Sequence, residues 1–146
     1  MYCLDSCTCI DFLRGKAPFV YRLLRESDPQ LFRIPAIVEA ELRVGAQKSD
    51  DPARAHRALD LFLFPFETIP FDSSCAFVYG RIRAELERQG LSIGRNDLLI
   101  AATALANNAV LVTSNVREFK RVSGLMLEEW AEVDLDKEPV RSRPIG

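Results

Sequence analysis

The chain has 146 residues, of which 48% are hydrophobic and 27% are charged, and its formal net charge is −2 at neutral pH. This length is typical of one domain with its own core, and the composition excludes a disordered chain, a collagen-like repeat and a coiled coil. Because 21 acids outnumber 19 bases, general attraction to a polyanion is excluded, and any contact with nucleic acid has to come from local clusters of bases.

Neither a secretion signal nor a membrane span is predicted. The first residues lack a basic region and carry Asp5 and Asp11 within their apolar stretch, and no uncharged run reaches the roughly 18 residues of a span. Cys3, Cys7 and Cys9 crowd near the start at a spacing unlike that of zinc sites. We therefore expect a cytoplasmic protein with reduced, mostly buried thiols and no membrane partner.

Short apolar strands alternate with helices along the chain. The predicted strands cover residues 2–5, 33–36, 67–71, 109–113 and 125–128. The predicted helices cover residues 8–14, 17–27, 38–47, 53–64, 73–89, 97–107 and 116–121. The alternation predicts an α/β fold over residues 1–130, with a central parallel sheet between helices. Residues 131–146 lose apolar periodicity and are predicted to form a flexible tail.

Acidic residues lie where an open parallel sheet binds ligands, at the carboxyl ends of its strands. Asp5 ends the first strand, and Asp97 opens a helix that is apolar on nearly every face. Helix capping and the helix dipole are the alternative explanations of these two acids. Glu39 and Glu41 lie about 200° apart around one helix, and Glu41, with Gly45 one turn later, suits the inward position. Two solvated glutamates are the alternative.

A polar segment follows the buried strand at 109–113. It holds Thr113, Asn115 and Glu118, whose oxygens suit a hard cation; the alternative is a polar loop with a helix cap. Carboxylates gathered at one place repel one another unless a cation neutralises them. Because Mg²⁺ and Mn²⁺ suit an all-oxygen site and no Gly-rich phosphate loop is present, the pattern predicts a divalent metal site.

The chain resembles the PIN-domain ribonucleases of the VapC toxin family. The resemblance is carried, in order, by the segments LDSCTCIDFLRGK, PAIVEAELRVGAQKS and YGRIRAELERQGLSIGRNDLLIAATALANNAVLVTSNVREFKRVSGLMLEEW. It implies a three-layer α/β/α PIN domain over residues 1–130 that cleaves RNA, transfer RNA being a candidate substrate, with Mg²⁺ or Mn²⁺ as cofactor. It also implies a homodimer and a VapB-type antitoxin seated in an apolar groove. The candidate groove residues are Phe12, Phe19, Tyr21, Leu61, Phe62 and Phe64.

The resemblance assigns roles to individual residues. The catalytic positions fall on Asp5, Glu41, Asp97 and Asn115, with Asp5 and Asp97 as metal ligands. The supporting positions fall on Ser6, Thr113 and Glu118. The bases expected to bind the RNA backbone are Arg14, Arg95 and Arg117.

Two departures from the family pattern keep other functions open. Cys7 stands where the family usually has an asparagine, and Asn115 stands where it often has an aspartate. A PIN fold that binds RNA or protein with weakened catalysis is therefore one alternative. A phosphatase with an aspartyl nucleophile is another, although its chemistry normally needs a second acid where this chain has Cys7.

Overall fold

The computed structural model describes residues 1–130. The strands of this part of the chain are β1 (Tyr2–Leu4), β2 (Phe32–Pro35), β3 (Glu67–Ile69), β4 (Val110–Val112) and β5 (Leu127–Glu128). Its α-helices are α1 (Ser6–Leu13), α2 (Pro18–Glu26), α3 (Ala36–Gln47), α4 (Pro52–Leu63), α5 (Ser73–Arg88), α6 (Arg95–Ala106) and α7 (Val116–Phe119). None of these helices is both long and apolar enough to cross a bilayer. The predicted tail at 131–146 lies outside the described residues.

The strands form one parallel sheet in the order β3-β2-β1-β4-β5. The chain runs from β1 to β3 toward one edge and then crosses to β4 and β5 on the other side of β1. Right-handed crossovers that run in opposite directions place their helices on opposite faces, so the predicted α/β/α fold is confirmed. The direction reverses at β1, and the carboxyl ends of β1 and β4 therefore form the switch point where such sheets bind ligands.

Helix α6 is enclosed by its neighbours, as its apolar sequence predicts. It packs against α3, α5, β2 and β4. The helix begins at Arg95, two residues before its predicted start, with Gly94 as its N-cap, and no side chain caps it. The Asn96 side chain hydrogen-bonds toward the candidate site, where it lowers the pKa of Glu41. Asp97 consequently lies in the first turn of α6.

The sheet and the helices enclose one continuous apolar core. Ala101, Ala102 and Ala104 of α6 are fully enclosed in it, together with side chains of β1, β2 and β4. Cys3, Cys9 and Cys75 are buried free thiols, as predicted, and Cys7 alone of the four is partly exposed. Burial raises the pKa of the Cys3 thiol to about 12, so the core cysteines behave as small apolar residues.

Candidate active site

Asp5 is held at the switch point by hydrogen bonds from two segments. It follows β1 directly, and Asp5 as a whole is only 4% exposed. Its Oδ1 accepts the Ser6 N–H at 2.8 Å, and Asp5 is thereby the N-cap of α1. The helix begins at Ser6, two residues before its predicted start at residue 8. Its Oδ2 accepts the Thr113 hydroxyl at 2.7 Å, across the sheet from the end of β4. Asp5 therefore caps a helix and lies at the ligand edge at the same time.

The Cys7 thiol connects the loops that follow β1 and β4. Its Sγ lies 3.5 Å from Asp5 Oδ2, to which it donates, and 3.7 Å from Thr113 Oγ1. It also accepts the Ser114 N–H at 3.4 Å. The Cys7 sulfur thus makes contacts on both sides of the switch point.

Glu41 of α3 is turned toward Asp5, whereas Glu39 is turned away. Glu39 pairs with Arg43 at 3.7 Å on a partly exposed face, so the two glutamates face different ways, as their spacing predicts. Burial and then the charge of Asp5 raise the pKa of Glu41, against the lowering effect of the Asn96 and Ser6 side chains. Its Oε1 is buried and finds no hydrogen-bond partner among residues 1–130.

Asp97 is the second acid of the cluster whose pKa is raised. Burial first, and then the charges of Asp5, Glu118 and Glu41, raise the pKa of Asp97 from 3.8 to about 6. Four carboxylates from four different segments therefore interact electrostatically at one end of the sheet. Mutual repulsion of this kind is characteristic of functional sites.

Glu118 joins the loop before α6 to the loop after β4. Its Oε1 accepts the Gly94 N–H at 2.8 Å, and its Oε2 accepts the Asn115 side-chain amide at 2.8 Å. These hydrogen bonds, the Asn115 bond first, lower the pKa of Glu118. The backbone N–H of Asn115 donates to the Thr113 hydroxyl at 2.9 Å. Asn115 thus contributes hydrogen bonds at the catalytic position assigned to it, and the nearby negative charge belongs to Glu118.

The chemistry of this cluster fits a hard divalent cation. Its charged groups are carboxylates, and the oxygen of Glu41 that lacks a partner is a free acceptor. Within the described residues, no three His, Cys, Asp or Glu side chains are arranged to hold an ion by themselves. Mg²⁺ typically takes one or two carboxylates and keeps several waters, so Asp5 and Asp97 are suitable ligands for it.

The three bases expected to bind RNA are exposed and differ in their surroundings. Arg14 lines a pocket that Glu41 also lines. Arg95 lines a separate pocket beside Tyr79. Arg117 lies in α7, after the loop that carries Asn115. Arg14 and the site carboxylate Glu41 thus line the same pocket.

An apolar groove runs from Glu41 across α1 and α4. It consists of two pockets, of about 330 Å³ and 380 Å³, which share Leu13 and Ala58. Of the candidate groove residues, those that line it are Phe12, Tyr21, Leu61 and Phe62. Phe19 is instead part of the buried core, and Phe64 is 90% exposed and lines neither pocket.

The sequence did not predict the contributions of Asn96 and Gly94. Asn96 acts through its side chain on Glu41, and Gly94 through its backbone N–H on Glu118. The signal for Asn96 is the pair Asn96-Asp97 at the start of an apolar helix. Gly94 carries no comparable signal, because a backbone donor is available at almost any residue.

Comparison with known proteins places the chain in a family. The PIN domain model matches residues 2–125. Ribonuclease VapC2 of Rickettsia felis is 44% identical over 134 residues, which is 89% of this chain and 98% of that protein. The tRNA(fMet)-specific endonuclease VapC of Salmonella typhimurium is 34% identical and is covered to 97% of its length, against 88% of this chain.

Solved structures lead to the same family. The crystal structure of VapBC2 from Rickettsia felis bound to a DNA fragment from its promoter matches with a TM-score of 0.81 and 41% identity, over 89% of this chain and 98% of that chain. The DNA-bound VapBC of Salmonella typhimurium matches with a TM-score of 0.84 and 34% identity, over 89% and 98%. The protein therefore belongs to the PIN-domain family and, within it, to the VapC ribonucleases.

Proposed function

We propose that this chain is a Mg²⁺- or Mn²⁺-dependent endoribonuclease and the toxin of a VapBC-type pair. The observation that carries the proposal is the mutual repulsion of Asp5, Glu41 and Asp97 at the switch point of the sheet. A divalent cation removes that repulsion and binds phosphate oxygens. The names of the relatives supply the substrate class, and the name of the Salmonella typhimurium protein makes transfer RNA the first RNA to test.

The residues of the cluster divide the chemistry among them. A bound divalent cation would acidify a water and offset the charge of the phosphate. Asp5 and Asp97 would hold it, with Asp5 fixed in place by the Thr113 hydroxyl. Glu41 is suited to accept the proton of the attacking water, because its raised pKa lies closer to neutral pH and its Oε1 has a vacant acceptor. In-line attack would leave a 5′-phosphate.

The phosphatase alternative lacks the second acid that its chemistry normally needs. Cys7 occupies the position where the second acid of that chemistry belongs.

The apolar groove supports the antitoxin as a partner. Apolar grooves of this kind accept the apolar face of an amphipathic helix. Because the groove ends at Glu41, a partner that fills it can place a basic residue among the carboxylates. Several of the solved neighbours are toxin–antitoxin complexes. A homodimer is part of the same proposal, and sedimentation analysis of the free protein tests it.

The nuclease proposal is tested with protein freed of antitoxin and incubated with transfer RNA and structured control RNAs. We expect cleavage with Mg²⁺ or Mn²⁺, none with EDTA, and loss of activity in Asp5→Asn, Glu41→Gln and Asp97→Asn. The matched control is Glu39→Gln, which makes the same change on α3 but on the outward face. Equal cleavage by Asp5→Asn and the native protein would overturn the site assignment, and folded protein that cuts no RNA favours the weakened binding module.

A further inference from the structure

A second, polar pocket lies beside the carboxylate cluster. Its volume is about 160 Å³, which is room for a single planar ring system. Its lining includes Thr8, Asp11, Lys16, Thr113, Glu129 and Trp130. The nuclease proposal gives this pocket no role.

The pocket and the carboxylate cluster share a wall. Thr113 lines the pocket, and its hydroxyl donates to Asp5 Oδ2 at 2.7 Å. Thr8 lines it as well, and its hydroxyl donates to the Val112 carbonyl at the end of β4, at 3.3 Å. A group in the pocket is therefore one side chain away from Asp5, which suits a nucleotide next to the cleaved bond.

Three charged side chains of the pocket have no charged partner. Asp11, Lys16 and Glu129 line it, and none of them forms a salt bridge within residues 1–130. Two carboxylates, which accept hydrogen bonds, and one ammonium group, which donates them, are thus available to a ligand. The mixture of signs excludes a simple phosphate site, because the two carboxylates repel an anion.

The aromatic wall of the pocket is fixed in place. The ring of Trp130 packs edge-on against Tyr2 and Phe32, with centroids 6.0 Å and 5.7 Å apart. Its Nε1 donates to Glu128 at 3.0 Å. Single-stranded RNA is commonly read by extruding a base against an aromatic side chain and hydrogen-bonding its edges.

We propose that this pocket binds a guanine base of the RNA, adjacent to the cleaved phosphodiester. Guanine offers a carboxylate two neighbouring N–H donors, and it offers a cation the acceptors O6 and N7. The pocket is lined by both kinds of partner, the carboxylates of Asp11 and Glu129 and the ammonium group of Lys16. Adenine and cytosine present no such pair of donors. The inference rests on the proposed nuclease function, but the binding of the base is measurable without cleavage.

The binding test uses the fluorescence of Trp130, the one tryptophan among the 146 residues. Protein in EDTA is titrated with GMP, AMP and CMP. We expect GMP to change the emission and to bind about tenfold more tightly than AMP or CMP. Asp11→Asn and Lys16→Met are expected to lose this preference. Their matched controls are Asp50→Asn and Lys48→Met, which alter exposed residues that do not line the pocket. Thermal melting establishes that each variant is folded.

The cleavage test uses oligonucleotides that differ only in the base beside the cut, with guanine, adenine or inosine there. Inosine lacks the 2-amino group, so kcat/KM should fall about tenfold from guanine to inosine, and Asp11→Asn should remove the difference. If no RNA is cut while GMP still binds selectively, the nuclease proposal fails and the guanine site stands. If RNA is cut with equal kcat/KM for all three bases, or if the three nucleotides bind Trp130 equally, the pocket proposal is overturned.

Discussion

Replacing Asp97 by asparagine should make the free protein more stable at neutral pH while abolishing its activity. Burial and the charges of Asp5, Glu118 and Glu41 raise the pKa of Asp97 from 3.8 to about 6. The folded state therefore holds the ionised form at a cost that the unfolded chain does not have. Asparagine keeps the shape of the side chain and removes the charge, so it should remove that cost.

The size of the effect follows from the pKa. A rise of roughly two units corresponds to about 3 kcal/mol at full effect. Asp97 is partly exposed, and screening by solvent reduces this to about 1.5 kcal/mol. Against the gain stands the loss of a favourable acid in the first turn of α6, about 0.5 kcal/mol. The net gain is about 1 kcal/mol, or a rise in Tm of about 3 °C for a domain of this size.

The dependence on pH provides the sharpest test. The folded protein ionises Asp97 only near pH 6, so the cost is complete above that pH and disappears as the pH falls toward 4. Thermal unfolding followed by circular dichroism, in EDTA, should show Asp97→Asn more stable than the native protein at about pH 7.5 and equal to it at about pH 4. Asp50→Asn, at an exposed loop position, should leave the melting temperature unchanged at both pH values.

Two results would refute this reasoning. If Asp97→Asn melts below the native protein at neutral pH in EDTA, the helix-dipole contribution outweighs the repulsion within the cluster. If the difference in Tm is the same at both pH values, the charge of Asp97 is not its cause. Addition of Mg²⁺ should make the native protein melt at a higher temperature than Asp97→Asn, because the carboxylate of Asp97 binds the cation more tightly than an asparagine amide does.

Three further changes test other parts of the site and fold. Thr113→Val removes the hydroxyl that binds Asp5. It should lower the cleavage rate about 10- to 100-fold in activity assays, and it should lower the free energy of unfolding by about 1–3 kcal/mol in urea denaturation. Thr113→Ser should restore both quantities. Cys7→Ala removes the thiol between the two loops and should weaken Mg²⁺ binding measured by calorimetry, whereas Cys7→Asn should retain it; equal affinities in all three proteins would contradict this role. Ala101→Leu overfills the site where α6 is fully enclosed and should cost about 1–3 kcal/mol in urea denaturation, with Mg²⁺ affinity of the folded protein unchanged.

The sheet and the principal acids follow from local patterns in the sequence. Continuous apolar runs within 2–5 and 109–113 indicate buried parallel strands, and the position of Asp5 at the end of the first of them indicates the ligand edge. The spacing of Glu39 and Glu41 is enough to separate an inward from an outward side chain. These inferences succeed because strand burial and helical periodicity are properties of neighbouring residues.

The finer parts of the site depend on which backbone groups meet in space. In the sequence, Glu118 is an additional candidate metal ligand. In the structure, one of its oxygens accepts a hydrogen bond from Gly94 and the other accepts one from Asn115. Asn96 looks like a helix cap, but α6 begins at Arg95 and the amide is directed to another carboxylate. Loop geometry and rotamers decide these roles, and neither is encoded in residue type or spacing.

The order of the strands has a consequence for how the protein is made. The hydrogen bond between Thr113 and Asp5 joins residues that are 108 positions apart. The reason is the strand order, in which β1 lies between β2, which is synthesised early, and β4, which is synthesised late. At a synthesis rate of about 5–20 residues per second, several seconds pass between the appearance of the two halves of the cluster. Any chain that ends before β4 lacks Thr113 and the loop that follows it. We therefore expect chains that are interrupted before β4 to lack the proposed toxic activity.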